Sequence, residues 1–279
     1  MRREADSWDD DMAAEVYAEI VRDGCLYNRL AEDLVELLDP KEGERFLDFA
    51  AGSGLVSARL AARVGACGMV VGVDRALAMV SVARREHPET EKAFLVGTGR
   101  ALPFAMGFFD GASCSAALWH LPALGRTLGE LSRVLRPGAS FAFNVPASQL
   151  RGVRDLPPAP LQLALARVGE HHFGSPPEPA GPVRGVDEIL ALGHEAGMKL
   201  EGSRWIDFTI VQQELIDLLT VPAISARLYP EASEEARTRW LEASVARVDP
   251  GETLRVRWWE VVLRCGGAHK RSASSWHAI

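Results

Sequence analysis

The chain has 279 residues, 47% of them hydrophobic and 25% charged, with 31 basic against 38 acidic side chains and a net charge of −7. Such usage excludes intrinsic disorder and fibrous architecture for most of the chain, and a diffuse negative field suits neither nucleic acid nor anionic lipid as a partner. No apolar run approaches the roughly 18–20 residues of a membrane helix, and the start Met1-Arg2-Arg3-Glu4-Ala5-Asp6 leads into acids, so a cytoplasmic protein is expected.

In chain order, Trp8-Asp9-Asp10-Asp11 introduces a helix predicted over residues 12–22, its acids complementing the helix dipole. A second helix is predicted over 27–38, with Leu30, Leu34, Leu37 and Leu38 on one face and Asp39-Pro40 ending it. The pattern then alternates: strands over 45–49, 69–73 and 92–96, with helices over 55–64 and 77–85 between them. Residues 111–117 form a strand of small side chains, crowded by its neighbours; a helix over 126–135 stops at Pro137-Gly138, and 139–144 is again a strand. Short apolar strands alternating with amphipathic helices imply an α/β fold with a mostly parallel sheet covered on both faces.

Eight of the 16 prolines fall between Pro146 and Pro182, around a short predicted helix over 161–168, so this stretch reads as a lid or a linker. Beyond it, 186–196, 212–220 and 233–245 are predicted helical, 199–208 extended, and 254–264, with alternating Val and Trp, at least partly a strand. Residues 266–279 are Ser-rich and basic and read as a flexible tail. Cys25, Cys67, Cys114 and Cys265 are widely spaced and His171-His172 are adjacent, so no metal site or disulfide framework is expected.

Chemistry is concentrated in Phe46-Leu47-Asp48-Phe49-Ala50-Ala51-Gly52-Ser53-Gly54. A buried strand ends near an acid, and a small-residue loop opens a helix; Gly52 and Gly54 let a ligand approach the backbone, and the helix start offers free N–H groups. Twenty residues past Gly54 a second strand ends in Asp74, an acid that can accept both hydroxyls of a ribose, which points to a nucleoside-bearing cofactor. Gly52-x-Gly54-x-x-Ser57 approaches the dinucleotide fingerprint, but Asp48 before the loop would face a pyrophosphate with like charge and suits a cationic ligand better. The bland alternatives are a tight strand-to-helix turn for the glycines and a helix cap for Asp74.

Ala101-Leu102-Pro103-Phe104, Phe108-Phe109-Asp110 and Leu135-Arg136-Pro137-Gly138 follow, and with them the chain resembles a class I S-adenosylmethionine-dependent methyltransferase. It is similar to the small-molecule type of the ubiquinone/menaquinone C-methyltransferases and the "type 11" set. Specific motifs carry the resemblance over 27–144; over 186–263 it rests on general pattern. It implies a Rossmann-like doubly wound, mostly parallel seven-stranded sheet with a helical N-terminal lid and an insertion after the fifth strand. The division implied is a lid over 1–40, a cofactor-binding core over 41–145, a substrate cover over 146–185, completion of the core with a helical insertion over 186–265, and the tail. It further implies that Ala50, Gly52 and Gly54 wrap the methionine part of S-adenosylmethionine with Asp48 near its amino group. By the same resemblance Asp74 binds the ribose, Arg75 or Ala76 lies by the adenine, Thr98 occupies the place where an acid usually meets the adenine amino group, and Gly99 is a further cofactor-binding residue. Ala117 begins the segment beside the methyl group. S-adenosylhomocysteine would be the product.

His120, in Leu118-Trp119-His120-Leu121-Pro122 after the fourth strand, is the expected general base, at the sheet edge where ligands bind; a structural role is its bland alternative. Tyr17, Tyr27, Trp119 and His120 are the candidate substrate contacts, while Trp205, Trp240, Trp258 and Trp259 read most simply as core or interface. The function so implied is O- or C-methylation of a phenolic, enolic or hydroxyl-bearing small molecule, by a monomer or homodimer. The alternatives are a relative that binds the cofactor without methylating, catalysing a cyclisation or similar reaction, and, more distantly, an NAD-dependent dehydrogenase.

Overall fold

The computed structural model describes residues 8–88, 93–177 and 183–266. The expected tail, apart from Gly266, lies outside these residues, as do Lys92 at the start of the third predicted strand and parts of the lid and cover divisions.

Helix α1 (Asp11–Asp23) begins where Asp10 caps it, Oδ1 accepting from the Ala13 amide at 2.8 Å. Helix α2 (Cys25–Leu38) buries Leu30, Leu34 and Leu38 and ends as Asp39 turns left-handed, φ 48°. Strand β1 (Arg45–Phe49), α3 (Leu55–Val64), β2 (Met69–Asp74), α4 (Leu77–Glu86), β3 (Phe94–Val96), β4 (Phe109–Cys114), α5 (Leu124–Val134) and β5 (Leu135–Pro146) then alternate. Short β6 (Leu150–Arg151) and β7 (Arg184–Gly185) pair with each other across α6 (Pro160–Phe173). Helix α7 (Val186–Glu195), β8 (Met198–Val211), α8 (Gln212–Thr220), α9 (Pro222–Leu228), α10 (Glu234–Val245) and β9 (Thr253–Cys265) complete the order.

Seven strands form one sheet in the order β3-β2-β1-β4-β5-β9-β8; the first five run parallel, and β9 is antiparallel to both β5 and β8. This is the Rossmann-like, mostly parallel seven-stranded sheet expected, and its one antiparallel strand, β9, lies next to the edge. The crowding expected at β4 is real: a Cβ on Gly111 would sit 2.4 Å from Phe46 Cε1.

Strand β4 begins two residues before and ends three residues before its predicted bounds, and three further elements differ from expectation for local reasons. Strand β5 begins at Leu135, which pairs with Phe109 before the register shifts at Gly111. Pro137, lacking an N–H, and Gly138, at φ 82°, kink the strand rather than precede it. Helix α6 outruns its predicted end because Gly169 does not break it: the missing side chain leaves room for Tyr229, whose Oη would be 1.7 Å from a Cβ there. Helix α9 has seven residues, started by Pro222 at its first position, too short for periodicity to reveal.

Candidate functional site

Parallel strands β1, β2 and β4 all end at one edge of the sheet, where such folds bind ligands. A cavity of about 1210 Å³ opens there. Ordinary ligand pockets hold roughly 300–1,000 Å³, so this one has room for a nucleoside cofactor and a second molecule.

Its floor is backbone. Ala50, after β1, and Ala116, after β4, both line the cavity and both are left-handed, at φ 59° and 49°. Non-glycine residues held in that region carry strain, which clusters at ligand sites. Gly52 also faces the cavity at φ 54°, and the nearest atom to a Cβ placed there is Tyr17 Cε1 at 3.9 Å. Asp74 fixes this loop: its Oδ2 accepts from the Gly52 amide at 2.9 Å and its Oδ1 from the Ala76 amide at 2.9 Å. Burial raises the Asp74 carboxyl, while those amides and Arg75 oppose the rise. Each carboxylate oxygen keeps a second lone-pair direction for a ribose hydroxyl. The cap reading is met in altered form, since Asp74 makes a turn onto Ala76, which is itself the cap of α4. Arg75, Thr98, Gly99 and Ala117 line the same space.

Two expected cofactor contacts lie outside the lining of the cavity. Asp48 does not line the cavity: it is 1% exposed, with its oxygens accepting from Ser57 Oγ at 2.7 Å and Ser113 Oγ at 2.8 Å. The strand's pleat turns it beneath the loop, where burial pushes its carboxyl up to about 6 against the two hydroxyls. Gly54 is absent from the lining as well. At φ 87° it makes the turn into α3, and a Cβ on it would strike Phe94 Cζ at 2.7 Å and His87 Cδ2 at 2.8 Å. Its smallness serves packing.

Three aromatics roof the floor. Trp8 and Tyr17 meet edge to face at 5.0 Å between centroids, Tyr17 and Tyr27 at 6.1 Å, and all three line the cavity. Burial, then Tyr27 and Asp74, keep the Tyr17 phenol well above its ordinary pKa and so neutral. Helix α1, which carries Tyr17, is moored to α4 by Arg85–Glu15 at 2.7 Å, Arg22–Glu86 at 2.8 Å and the Leu77 amide on Asp9 Oδ1 at 3.0 Å.

The remaining walls come from the antiparallel side. Leu215, Leu218, Ile224, Trp240 and Trp258 line an apolar half, so two of the tryptophans read as core also face the cavity. Gln212, fully buried at the start of α8, ties that helix to α6 and to the loop before β9: its Oε1 accepts from the Leu161 amide at 2.9 Å and its Nε2 donates to Asp249 O at 2.9 Å. Trp119 packs on His120 and Trp258, at 4.9 and 5.8 Å between centroids. The turn carrying them, Leu118–His120, is pinned by Arg184 Nη2 donating to Leu121 O at 2.9 Å.

His120 lines the cavity, but its Nδ1 is engaged by an Arg227 guanidinium N–H. A guanidinium can only donate, so in this contact Nδ1 is the acceptor. Arg227 escaped the sequence reading altogether, since it sits on α9 and reaches His120 across 107 residues.

A nucleoside site with a strand-end acid, a backbone floor and an aromatic roof fits S-adenosylmethionine, whose sulfonium and ammonium suit aromatic faces. A dinucleotide would need the second loop glycine open to its pyrophosphate, and Gly54 is closed by Phe94 and His87. The fold and site define a class I methyltransferase domain, and residues 47–143 match the methyltransferase domain family. The O-methyltransferase cnsE of Penicillium expansum is 30% identical over 212 residues, 75% of this chain and 67% of that protein. A 2-phytyl-1,4-naphtoquinone methyltransferase of Nostoc punctiforme is 37% identical over 124 residues, 42% of this chain and 54% of that protein. Among solved structures, the cyclase SpnF superposes with TM-score 0.56 at 18% identity, over 87% of this chain and 82% of that one. The chain therefore belongs to the methyltransferase-domain family, whose cofactor is S-adenosylmethionine, although it spans only about half the length of the first curated relatives it matches.

Proposed function

We propose that this chain transfers a methyl group from S-adenosylmethionine to an oxygen or carbon of a small phenolic, enolic or hydroxyl-bearing metabolite. The observation that carries this reading is the floor of the cavity: Asp74 clamps the Gly52 loop while Ala50 and Ala116 hold left-handed backbone beneath the space. The cofactor, when bound, supplies a methyl group already activated on a sulfonium. Asp74 takes the ribose hydroxyls, Arg75, Thr98 and Gly99 flank the base, and Ala50, Gly52 and Ala117 face the amino-acid end. Tyr17 and Tyr27 on the N-terminal helices, with residues 146–185, act as covers that exclude water. Trp119 and His120 border both halves and hold the acceptor in line. The charge balance favours a small-molecule partner over nucleic acid or anionic lipid, and the chain is placed in the cytoplasm as a monomer or homodimer. Among the described residues, no helix is long and apolar enough to cross a membrane.

Calorimetric titration with S-adenosylhomocysteine, against NAD and NADP, tests the reading. Binding of the first alone is expected; binding of NAD instead would overturn it. A cofactor-binding protein that does not methylate is the second reading, and the likeness to SpnF is at the level of fold.

A further inference from the structure

Beneath the cavity floor lies a polar side chain in an otherwise apolar strand. Asn144, on β5, is fully buried; its Oδ1 accepts from the Ala116 amide at 2.7 Å and its Nδ2 donates to Ser115 Oγ at 3.4 Å. Ser115 and Ala116 both line the cavity, and Ala116 is held left-handed at φ 49°. That backbone is strained for a residue with a Cβ and persists only where its neighbours enforce it. Asn144 therefore does for the loop after β4 what Asp74 does for the loop after β1.

Asn144 has a titratable neighbour. In the antiparallel register it lies opposite Glu260 of β9, and Glu260 lies opposite Arg204 of β8. Facing residues of such a ladder share one side of the sheet, with Cβ atoms roughly 4.5–5.5 Å apart. The side is the one under α2, since the next pair along it, Ala142 and Val262, packs with Leu34 and Leu38. Glu260 is fully buried there. Its Oε2 accepts from Arg204 Nε at 2.8 Å, and Arg204 also reaches Asp33 of α2 at 3.6 Å. Its Oε1 has no hydrogen-bond partner among the described residues. The charged groups acting on Glu260 are Arg204 from β8 and Asp33 and Glu36 from α2, while β5 presents the neutral Asn144.

What an orphan buried carboxyl oxygen demands of its surroundings depends on its charge. Protonated, Glu260 is neutral and can donate; ionised, it only accepts. Burial pushes this carboxyl up to about 7 against the Arg204 hydrogen bond, so both forms occur near neutral pH.

Resting on the methyltransferase reading of the cofactor half, we infer that Asn144 is a positioning residue that fixes the Ser115–Ala116 floor under the cofactor, and that ionisation of Glu260 loosens its hold. The ionised Oε1 competes with Ser115 for the Asn144 Nδ2 hydrogens and draws the amide away from Ala116. The floor is firm while Glu260 keeps its proton and slackens as pH rises past the point where it is lost.

Two readouts on the full chain, taken from about pH 6 to about pH 8, test this: the backbone amide signal of Ala116 in nuclear magnetic resonance, and calorimetric titration with S-adenosylhomocysteine. The Ala116 signal should titrate with a midpoint of about 7 in the parent and stay fixed in Glu260→Gln. S-adenosylhomocysteine should bind roughly fivefold or more weaker at the higher pH, and Glu260→Gln should remove that loss. Asn144→Ala, which lacks the acceptor, should bind it about tenfold weaker at the lower pH; Asn144→Asp, which keeps the acceptor, should stay within about threefold of the parent there. Should Asn144→Ala fail to fold, the parent against Glu260→Gln decides. An Ala116 signal that ignores pH, a titration that survives in Glu260→Gln, equal losses in the two Asn144 variants, or a measurable affinity that is flat across the range would overturn the inference. A Glu260-dependent Ala116 titration in a chain that ignores S-adenosylhomocysteine would instead sink the cofactor reading and leave the coupling of Asn144 to Glu260 standing.

Discussion

The two halves of the sheet build their parts of the cavity by different means. On the parallel side β1 has five residues, roughly 17 Å, and the site is made of the backbone that follows the strands. On the antiparallel side β8 and β9 have 14 and 13 residues, roughly 45 Å, and the helices α8–α10 between them supply side chains. A backbone site needs small residues and an acid at fixed offsets along the chain, whereas a side-chain site draws residues from anywhere. The first half can be tuned little without losing the cofactor; the second can be remade for a new acceptor.

Substitutions sharpen that contrast. Asp74→Ala should weaken S-adenosylhomocysteine binding by roughly 10- to 100-fold, because a charged acceptor and the clamp on Gly52 go together. Unchanged affinity in the calorimeter would break the backbone-site account. On the other side, Gly169→Ala forces a Cβ onto Tyr229 and should cost about 1–3 kcal/mol in thermal unfolding, with cofactor affinity untouched.

A third comparison uses pH. Glu260, on β9, is fully buried; its Oε2 accepts from Arg204 Nε at 2.8 Å and its Oε1 has no partner among the described residues. Burial pushes its carboxyl up to about 7. The folded chain therefore keeps a proton that the unfolded chain gives up at about 4, and the stability this lends is full below that range and lost as pH rises through about 7. Glu260→Gln should flatten the decline. Urea unfolding at about pH 5 and about pH 8 should show the parent losing on the order of 2 kcal/mol more than the variant. Parallel slopes would mean that Glu260 is not the group responsible. The smallest effect belongs to the moorings of α1: Glu15→Gln with Glu86→Gln should leave the melting temperature nearly unchanged, because exposed ion pairs contribute little. A large drop would mean that the ion pairs, and not the buried Ala13, Ala14 and Ala18, hold α1 in place.

How legible these halves are in the sequence follows the same division. Asp74 stands out because a strand-end acid follows a glycine loop at a readable spacing. The burial of Asp48 between Ser57 and Ser113 is not readable, because both faces of a parallel sheet are covered and the apolar pattern does not say which way an acid points. Gly54 looks like ligand space because the atoms that fill it, on His87 and Phe94, arrive from outside the motif. Arg227 is invisible: α9 is too short to show a period, and its partner is 107 residues away. The mostly parallel character of the sheet, by contrast, is readable in the alternation of elements over 45–144, whereas its strand order is not.

The attachment of α1 has a kinetic side. As the proposed roof, this helix packs Ala14 and Ala18 on Ala78, Met79 and Val82 of α4 and adds two solvent-facing ion pairs and one hydrogen bond, while the floor is fixed by part-buried amides. Salt screens the ion pairs and spares the rest. Spent cofactor should thus leave faster as ionic strength rises, with its intrinsic grip on the floor preserved, so that turnover and occupancy respond to the medium separately.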